Sequence, residues 1–129
     1  MRKRVPIPDV SELEPDKPLL VIHRGVPYCV VKADTGAVRA FVAACSHEDR
    51  AIVPLRCKRG QIVCPHHGAR FDATTGEVAD ARGNDVPEGL KPVEVVIEAG
   101  AMLLRTRKRH RKLLGKKERK RVAKLEGDR

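Results

Sequence analysis

Hydrophobic positions along this chain come in short runs, each closed by a turn rich in Gly, Pro or Asp. Residues 5–7 read as a first short strand. Residues 9–18 are polar and hold Pro15 and Pro18, which makes them a loop. Residues 19–22 and 26–31 follow as two strands about Arg24-Gly25, and Asp34-Thr35-Gly36 turns the chain again. Residues 38–44 form a third apolar stretch. Residues 51–55 are apolar around Pro54, Lys58-Arg59-Gly60 turns, and Gln61-Ile62-Val63 returns. Thr74-Thr75-Gly76-Glu77 is another turn, and residues 79–89 are a loop of Asp, Gly, Asn and Pro. Residues 93–98 alternate imperfectly, Gly100 turns, and residues 101–104 close a last hairpin. Nothing before residue 105 has a helical period. Many short strands between glycine turns predict an all-β sandwich or small barrel.

Composition sharpens this picture. A chain of 129 residues is one domain by length. With no Trp, one Tyr and two Phe, its core must rest on Val, Ile, Leu and Ala. A core of that size is modest, so a bound metal centre would add much of the stability. The net charge of +10 is concentrated at one end. Residues 105–129 carry thirteen Lys/Arg against three Asp/Glu, while residues 1–104 carry fourteen of each sign. The sequence therefore divides into a neutral domain, 1–106, and a basic tail, 107–129, flexible or partly helical. Leu113, Leu114, Val122 and Leu125 are too few for a strong apolar face, and Gly115 interrupts them. A flexible tail of this length spans roughly 25–30 Å. Such a charge block suits nucleic acid, an acidic protein or anionic lipid, although it has no aromatic residue for stacking bases. Met1-Arg2-Lys3-Arg4 is followed by Pro6 and Pro8 without an apolar run, so it is no secretory signal. No run reaches the 18 residues or so of a membrane helix. The expected setting is cytoplasmic.

The chemistry lies between Cys45 and Asp72. Cys45-Ser46-His47 offers a thiolate and an imidazole two positions apart. After 16 residues, Cys64-Pro65-His66-His67-Gly68-Ala69-Arg70-Phe71-Asp72 offers another thiolate and imidazole three apart. Each clip follows a strand, so each can sit in a loop at the end of a hairpin. Four such ligands can close a tetrahedral zinc site. They can also hold a two-iron cluster with both Cys on one iron and both His on the other. Zinc clips usually keep two to four residues between paired ligands, and Cys45/His47 keeps one.

The patterns C-x-H and C-P-x-H-G-x-x-F-D resemble the Rieske [2Fe-2S] family in its ferredoxin-like branch. The flanks resemble it too: Arg4-Val5-Pro6 and Asp9-Val10-Ser11-Glu12-Leu13 look like its opening, and Thr75-Gly76-Glu77-Val78 like the sequel to its second clip. The likeness spans about residues 4–106. It implies a Rieske-type β-sandwich with a cluster-binding subdomain of two loops at about 44–73. It implies one [2Fe-2S] cluster per chain, held by Cys45, His47, Cys64 and His67. It also implies a Pro-containing loop, 79–89 here, that covers the cluster from a third side. The expected function is electron transfer rather than catalysis. The chain would pass single electrons from a reductase to a terminal oxidoreductase, as the ferredoxin components of ring-hydroxylating dioxygenases do. There are too few residues for the mononuclear iron domain of a Rieske oxygenase. Two alternatives stand beside this: a small Rieske subunit of a larger complex, and a redox-sensing module whose tail binds nucleic acid or an acidic partner.

Two thiolates cancel the +2 of two ferric ions and two sulfides, whereas four would leave −2. A neutral centre is easier to reduce, within roughly −150 to +300 mV. High-potential members place a Ser and a Tyr after the second clip as donors to the cluster sulfurs. Ala69 and Phe71 stand there and cannot donate, while Arg50 and His66 stand where that branch has a disulfide. All four departures predict the lower part of the range. The family spacing selects His67 over His66, which reads as a surface residue near the cluster. Gly68 lets the backbone pass close. Glu48 and Asp49 read as solvated loop carboxylates, His23 and His110 as ordinary polar positions. Cys29 reads as a small buried hydrophobe, and Cys57 as a buried or idle thiol rather than a spare ligand. Nothing points to the oxidising compartment that a disulfide between those two would need.

Overall fold

The strands expected from the apolar runs form, and they pair antiparallel throughout. This computed structural model describes residues 3–8, 13–14, 16–33, 35–46, 49–66 and 68–127. In chain order the strands are β1 (Lys3–Ile7), β2 (Leu19–His23), β3 (Val26–Lys32), β4 (Val38–Val42), β5 (Ala44–Cys45), β6 (Arg50–Ala51), β7 (Arg56–Lys58), β8 (Gln61–Val63), β9 (Arg70–Asp72), β10 (Val78–Asp80), β11 (Pro92–Val93), β12 (Val95–Glu98) and β13 (Ala101–Thr106). A 3-10 helix, Lys108–Leu113, and α1, Lys116–Gly127, follow. Much of the expected loop 9–18, with Asp34 of the next turn, lies outside the described residues.

The sheet ordered β11-β4-β3-β2 is the middle layer. Successive residues of a strand point to opposite faces. In β3, Val26, Tyr28 and Val30 join one buried cluster, while Cys29 and Val31 join another. β4 repeats this, sending Ala40 and Val42 to the first and Phe41 to the second. The first cluster lies against the sheet ordered β1-β13-β12, through Ile7 and Leu104. The second takes in Ile62 and Phe71 of the sheet β10-β9-β8-β7, and with them Cys45 and Cys64. A strand buried on both faces gains twice. Each fully buried Val, Phe or Ile contributes about 1.5–3 kcal/mol, which suits a chain short of large aromatics. The fold is an all-β sandwich carrying a small β subdomain, with a short C-terminal helix.

That helix folds back onto the domain. Leu114 is 2% exposed and Val122 is fully buried, and with Ile22 and Ala51 they form a third apolar cluster. Glu118 and Val122, four apart, share one face of α1, and Leu114 sits in the extended link before it. Two well-placed apolar residues were enough where four looked too few. The contact is close because of Gly25, in the turn between β2 and β3. Its φ is +77°, and a Cβ there would lie 2.7 Å from the Arg119 carbonyl oxygen, so only glycine fits. Arg119 Nη1 donates to the carbonyls of Arg111 at 2.6 Å and Leu114 at 2.7 Å, closing the end of the 3-10 segment.

His110 is not the ordinary polar position that its surroundings in sequence suggest. It is 4% exposed. Its Nδ1 accepts from the Tyr28 hydroxyl at 3.0 Å and from the Arg107 N–H at 3.2 Å. Burial, helped by the nearby charges of Arg109 and Arg107, pushes its pKa down to about 4. Among the described residues no helix is long and apolar enough to cross a membrane.

Candidate metal centre

The first clip is built on a two-residue ladder. β5 pairs with β6 so that Cys45 faces Arg50 and Ala44 faces Ala51. The Ile52 N–H extends the ladder by donating to the Ala43 carbonyl at 2.8 Å. Cys45 ends up 3% exposed. The second clip closes on itself at the turn from β8 to β9. Cys64 N–H donates to Ala69 O at 2.8 Å, and Gly68 N–H donates to Cys64 O at 3.0 Å. Gly68 has φ +78°, and a Cβ there would meet nothing nearer than Arg82 Nε at 4.0 Å. The glycine is thus required by backbone conformation, and it leaves open space beside the loop. Cys64 is 1% exposed.

Both thiols belong to one buried apolar cluster, with Ile52, Ile62, Ala69, Phe71 and Leu90 around them. His47 and His67 lie outside the described residues, as does Glu48; Asp49 is exposed. Among the described residues no three His, Cys, Asp or Glu side chains gather into a metal-binding group. The described half of the expected donor set is therefore the cysteine pair. Its chemistry fits a metal cluster. All four cysteines carry thiols rather than disulfides, and the two in the clips are buried in one apolar cluster, which Cys29 shares.

Further contacts fix the clips. Ser46 Oγ donates to Glu88 O at 2.7 Å and accepts the Glu88 N–H at 3.1 Å. This ties the loop after β10 to the first clip, and Val86 of the same loop packs on the thiol-containing cluster. His66 is half-buried, and its Nε2 donates to the Ala51 carbonyl at 2.9 Å. It therefore joins the two clips instead of standing on the surface. The Ala51 N–H in turn donates to Glu118 Oε2 at 2.8 Å. Glu118 also holds Arg121 at 2.8 Å and lies 4.0 Å from Arg50. The Arg121 hydrogen bond leads in lowering the pKa of Glu118, against burial, which raises it; the Ala51 N–H and the charges of Arg121 and Arg50 add to the lowering. Sequence reasoning missed Glu118 as a support. The signal was there: an acid in a basic run, set four positions from both Leu114 and Val122.

The other two thiols sit apart in role. Cys29 is fully buried in the thiol-containing cluster, and burial drives its pKa far up. Cys57 in β7 is half-buried, with its Sγ 3.8 Å from Asp16 Oδ1. Burial first, then the Asp16 charge and hydrogen bond, push it up to about 11.

A family model described as Rieske [2Fe-2S] domain matches residues 3–108. No curated protein matches the chain. Three solved structures show the same fold. One is the quaternary ammonium Rieske monooxygenase CntA in complex with the inhibitor MMV12, at 22% identity and TM-score 0.64, covering 78% of this chain and 30% of that one. Another is dicamba monooxygenase with non-heme iron and dicamba, at 21% and 0.61, covering 79% and 32%. The third is a chain from the complex of reduced oxygenase and oxidised ferredoxin in carbazole 1,9a-dioxygenase, at 22% and 0.62, covering 78% and 99%. The chain thus spans about three tenths of the two monooxygenase chains and nearly the whole of the third.

Proposed function

Since the chain belongs to the Rieske [2Fe-2S] domain family, we propose that Cys45, His47, Cys64 and His67 hold its cluster and that it carries single electrons from a reductase to a terminal oxidoreductase such as a dioxygenase. A domain of this family has one [2Fe-2S] cluster and an electron-transfer role. The observation that carries the ligand assignment is that Cys45 and Cys64, one in each clip, are both buried in one apolar cluster.

When bound, the cluster takes up and releases one electron at a time. The rest is the work of side chains. Cys45 and Cys64 bind as thiolates, so loading releases their protons. Ile52, Phe71 and Leu90 keep water from the thiol side, which affects the potential as directly as the ligands do. Ser46 and His66 hold the loops in register through Glu88 and Ala51. Ala69 and Phe71, both buried, bring no side-chain donor, which favours the lower part of the roughly −150 to +300 mV range. His47 and His67, each ligating through one nitrogen, would keep the other for a proton or for a partner.

The carrier reading draws support from the near-complete cover of a chain in an oxygenase–ferredoxin complex. A second reading, an electron-transfer module of a larger oxygenase, draws on the three-tenths cover of the monooxygenase chains. Copurification of a stoichiometric partner would separate the two. Metal analysis with electron paramagnetic resonance of the dithionite-reduced protein tests both. Two irons per chain and a rhombic signal of a His-ligated cluster are expected. Zinc alone, from anaerobically prepared protein, would overturn the assignment.

A further inference from the structure

The cations of α1 divide into two groups. Arg119 is committed to the carbonyls of Arg111 and Leu114, and Arg121 to Glu118. Lys116, Lys117, Lys120 and Lys124 are exposed and have no ion-pair partner among the described residues. With Glu118 and Val122 facing inward, α1 turns these four lysines away from the domain. They stand close to the first clip. Cys45 pairs with Arg50, Arg50 lies 4.0 Å from Glu118, and Glu118 holds the next residue, Ala51. Residues 1–104 have no net charge, so the net positive charge of the molecule lies in residues 105–129, and the lysines of α1 are the part of it that stands beside the first clip.

We propose that this lysine face is a docking surface for an acidic electron-transfer protein, and that it steers that partner to the Cys45 loop. The proposal rests on the electron-carrier reading above. Two observations favour carboxylates over nucleic acid. The arginines of α1, whose planar forks would grip phosphate bidentately, are already used internally. The helical segments present no exposed aromatic side chain for base stacking, since His110 is buried. What remains is a set of lysine point charges on a folded helix held against the clip. Charge placed there raises the rate of encounter with an oppositely charged partner, and salt screens it.

The test uses the full-length, cluster-loaded protein, reduced and mixed in a stopped-flow instrument with one of two ferric probes, acidic cytochrome b5 or basic cytochrome c. A fourfold variant, Lys116→Glu with Lys117→Glu, Lys120→Glu and Lys124→Glu, is run beside it. The expected result is a cytochrome b5 rate that falls steeply with salt and drops about tenfold or more at low salt in the variant, with cytochrome c favoured instead. The single variant Lys120→Glu should show a smaller loss of the same sign, which guards against misfolding of the fourfold one. Unchanged rates in variants that keep the wild-type cluster signal would overturn the proposal and leave the carrier reading intact. Absence of any cluster signal in the wild type would instead overturn the carrier reading. Binding to duplex DNA at about 0.15 M salt that the variant loses, with cytochrome rates unmoved, would assign the face to nucleic acid and overturn the proposal as well.

Discussion

The Glu118 carboxylate accepts the Ala51 N–H at 2.8 Å, across 67 positions of sequence. Ala51 is fully buried, so that N–H has no water to fall back on. A buried donor left without an acceptor costs about 1–3 kcal/mol. Glu118→Ala should therefore lower stability by roughly 2 kcal/mol, and Glu118→Gln, which keeps an acceptor, by less. Denaturant midpoints of the two variants measure this. Equal losses would contradict the hydrogen bond. The pH dependence has a fixed sign: the folded pKa lies below 4.5, so this contribution is present above 4.5 and fades as pH falls through the folded value.

His110 should make the protein acid-sensitive in a different window. Its folded pKa is about 4, against an ordinary value of 6.5. Between those values the unfolded chain binds the proton and the folded one refuses it, so stability drops as pH falls from 6.5 towards 4 and levels below. The slope from this one group is at most about 1.4 kcal/mol per pH unit. A His110→Gln variant should lose that part of the slope, seen as the difference between two curves of denaturation midpoint against pH. Parallel curves would contradict it.

Cys57 is the half-exposed thiol, yet it should be slow to react. With its pKa at about 11, its thiolate fraction at pH 8 is about a hundredfold below that of a thiol near 9. The more basic thiolate is intrinsically more nucleophilic, which returns about tenfold. Alkylation of the folded protein by iodoacetamide at Cys57, followed by peptide mass spectrometry, should run roughly tenfold slower than for an ordinary exposed thiol. A rate equal to that of a small-molecule thiol would show that burial and the Asp16 contact do not hold the thiol up in solution.

Ala69 offers a direct handle on the potential. Serine adds one atom at a fully packed position and supplies the hydroxyl that high-potential relatives have there. Ala69→Ser should raise the reduction potential, on the order of tens of mV, as read by protein-film voltammetry. An unchanged or lower potential would remove Ala69 from the residues proposed to set the potential.

The fold was largely legible because its strands announce themselves. Val26–Lys32 is apolar on both faces and bounded by turns, and it does become the strand between two cores. Cys45 and Cys64 stood out in the sequence by their spacing and by the family likeness of the residues around them, and both are buried in one apolar cluster. Two things were not. The Pro54 stretch reads as apolar and continuous, yet the chain leaves β6 after Ala51 and resumes pairing only at Arg56. The C-terminal segment reads as solvated charge, because thirteen cations drown the signal of Leu114 and Val122. Its docking depends on Gly25, 94 positions from the Arg119 it lies against, and no local pattern can reveal that a glycine exists to let a distant helix approach. His66 was hidden for a similar reason: its partner is a backbone carbonyl, which every residue has.

The pairing of β1 with β13 bears on how the molecule comes into being. Lys3 lies opposite Thr106, and the five-residue register runs on to Ile7 opposite Met102. The first strand can find no place until the last has been made. Closing a loop of about a hundred residues carries an entropic charge that local contacts do not relieve, and topologies of this kind fold slowly for their length. The residues that bury both clip thiols, by contrast, all lie between Cys29 and Leu90, and none belongs to β1 or β13. Maturation has an order built into it: the thiol-bearing cluster can pack while the chain is still growing, and the outer sheet closes last.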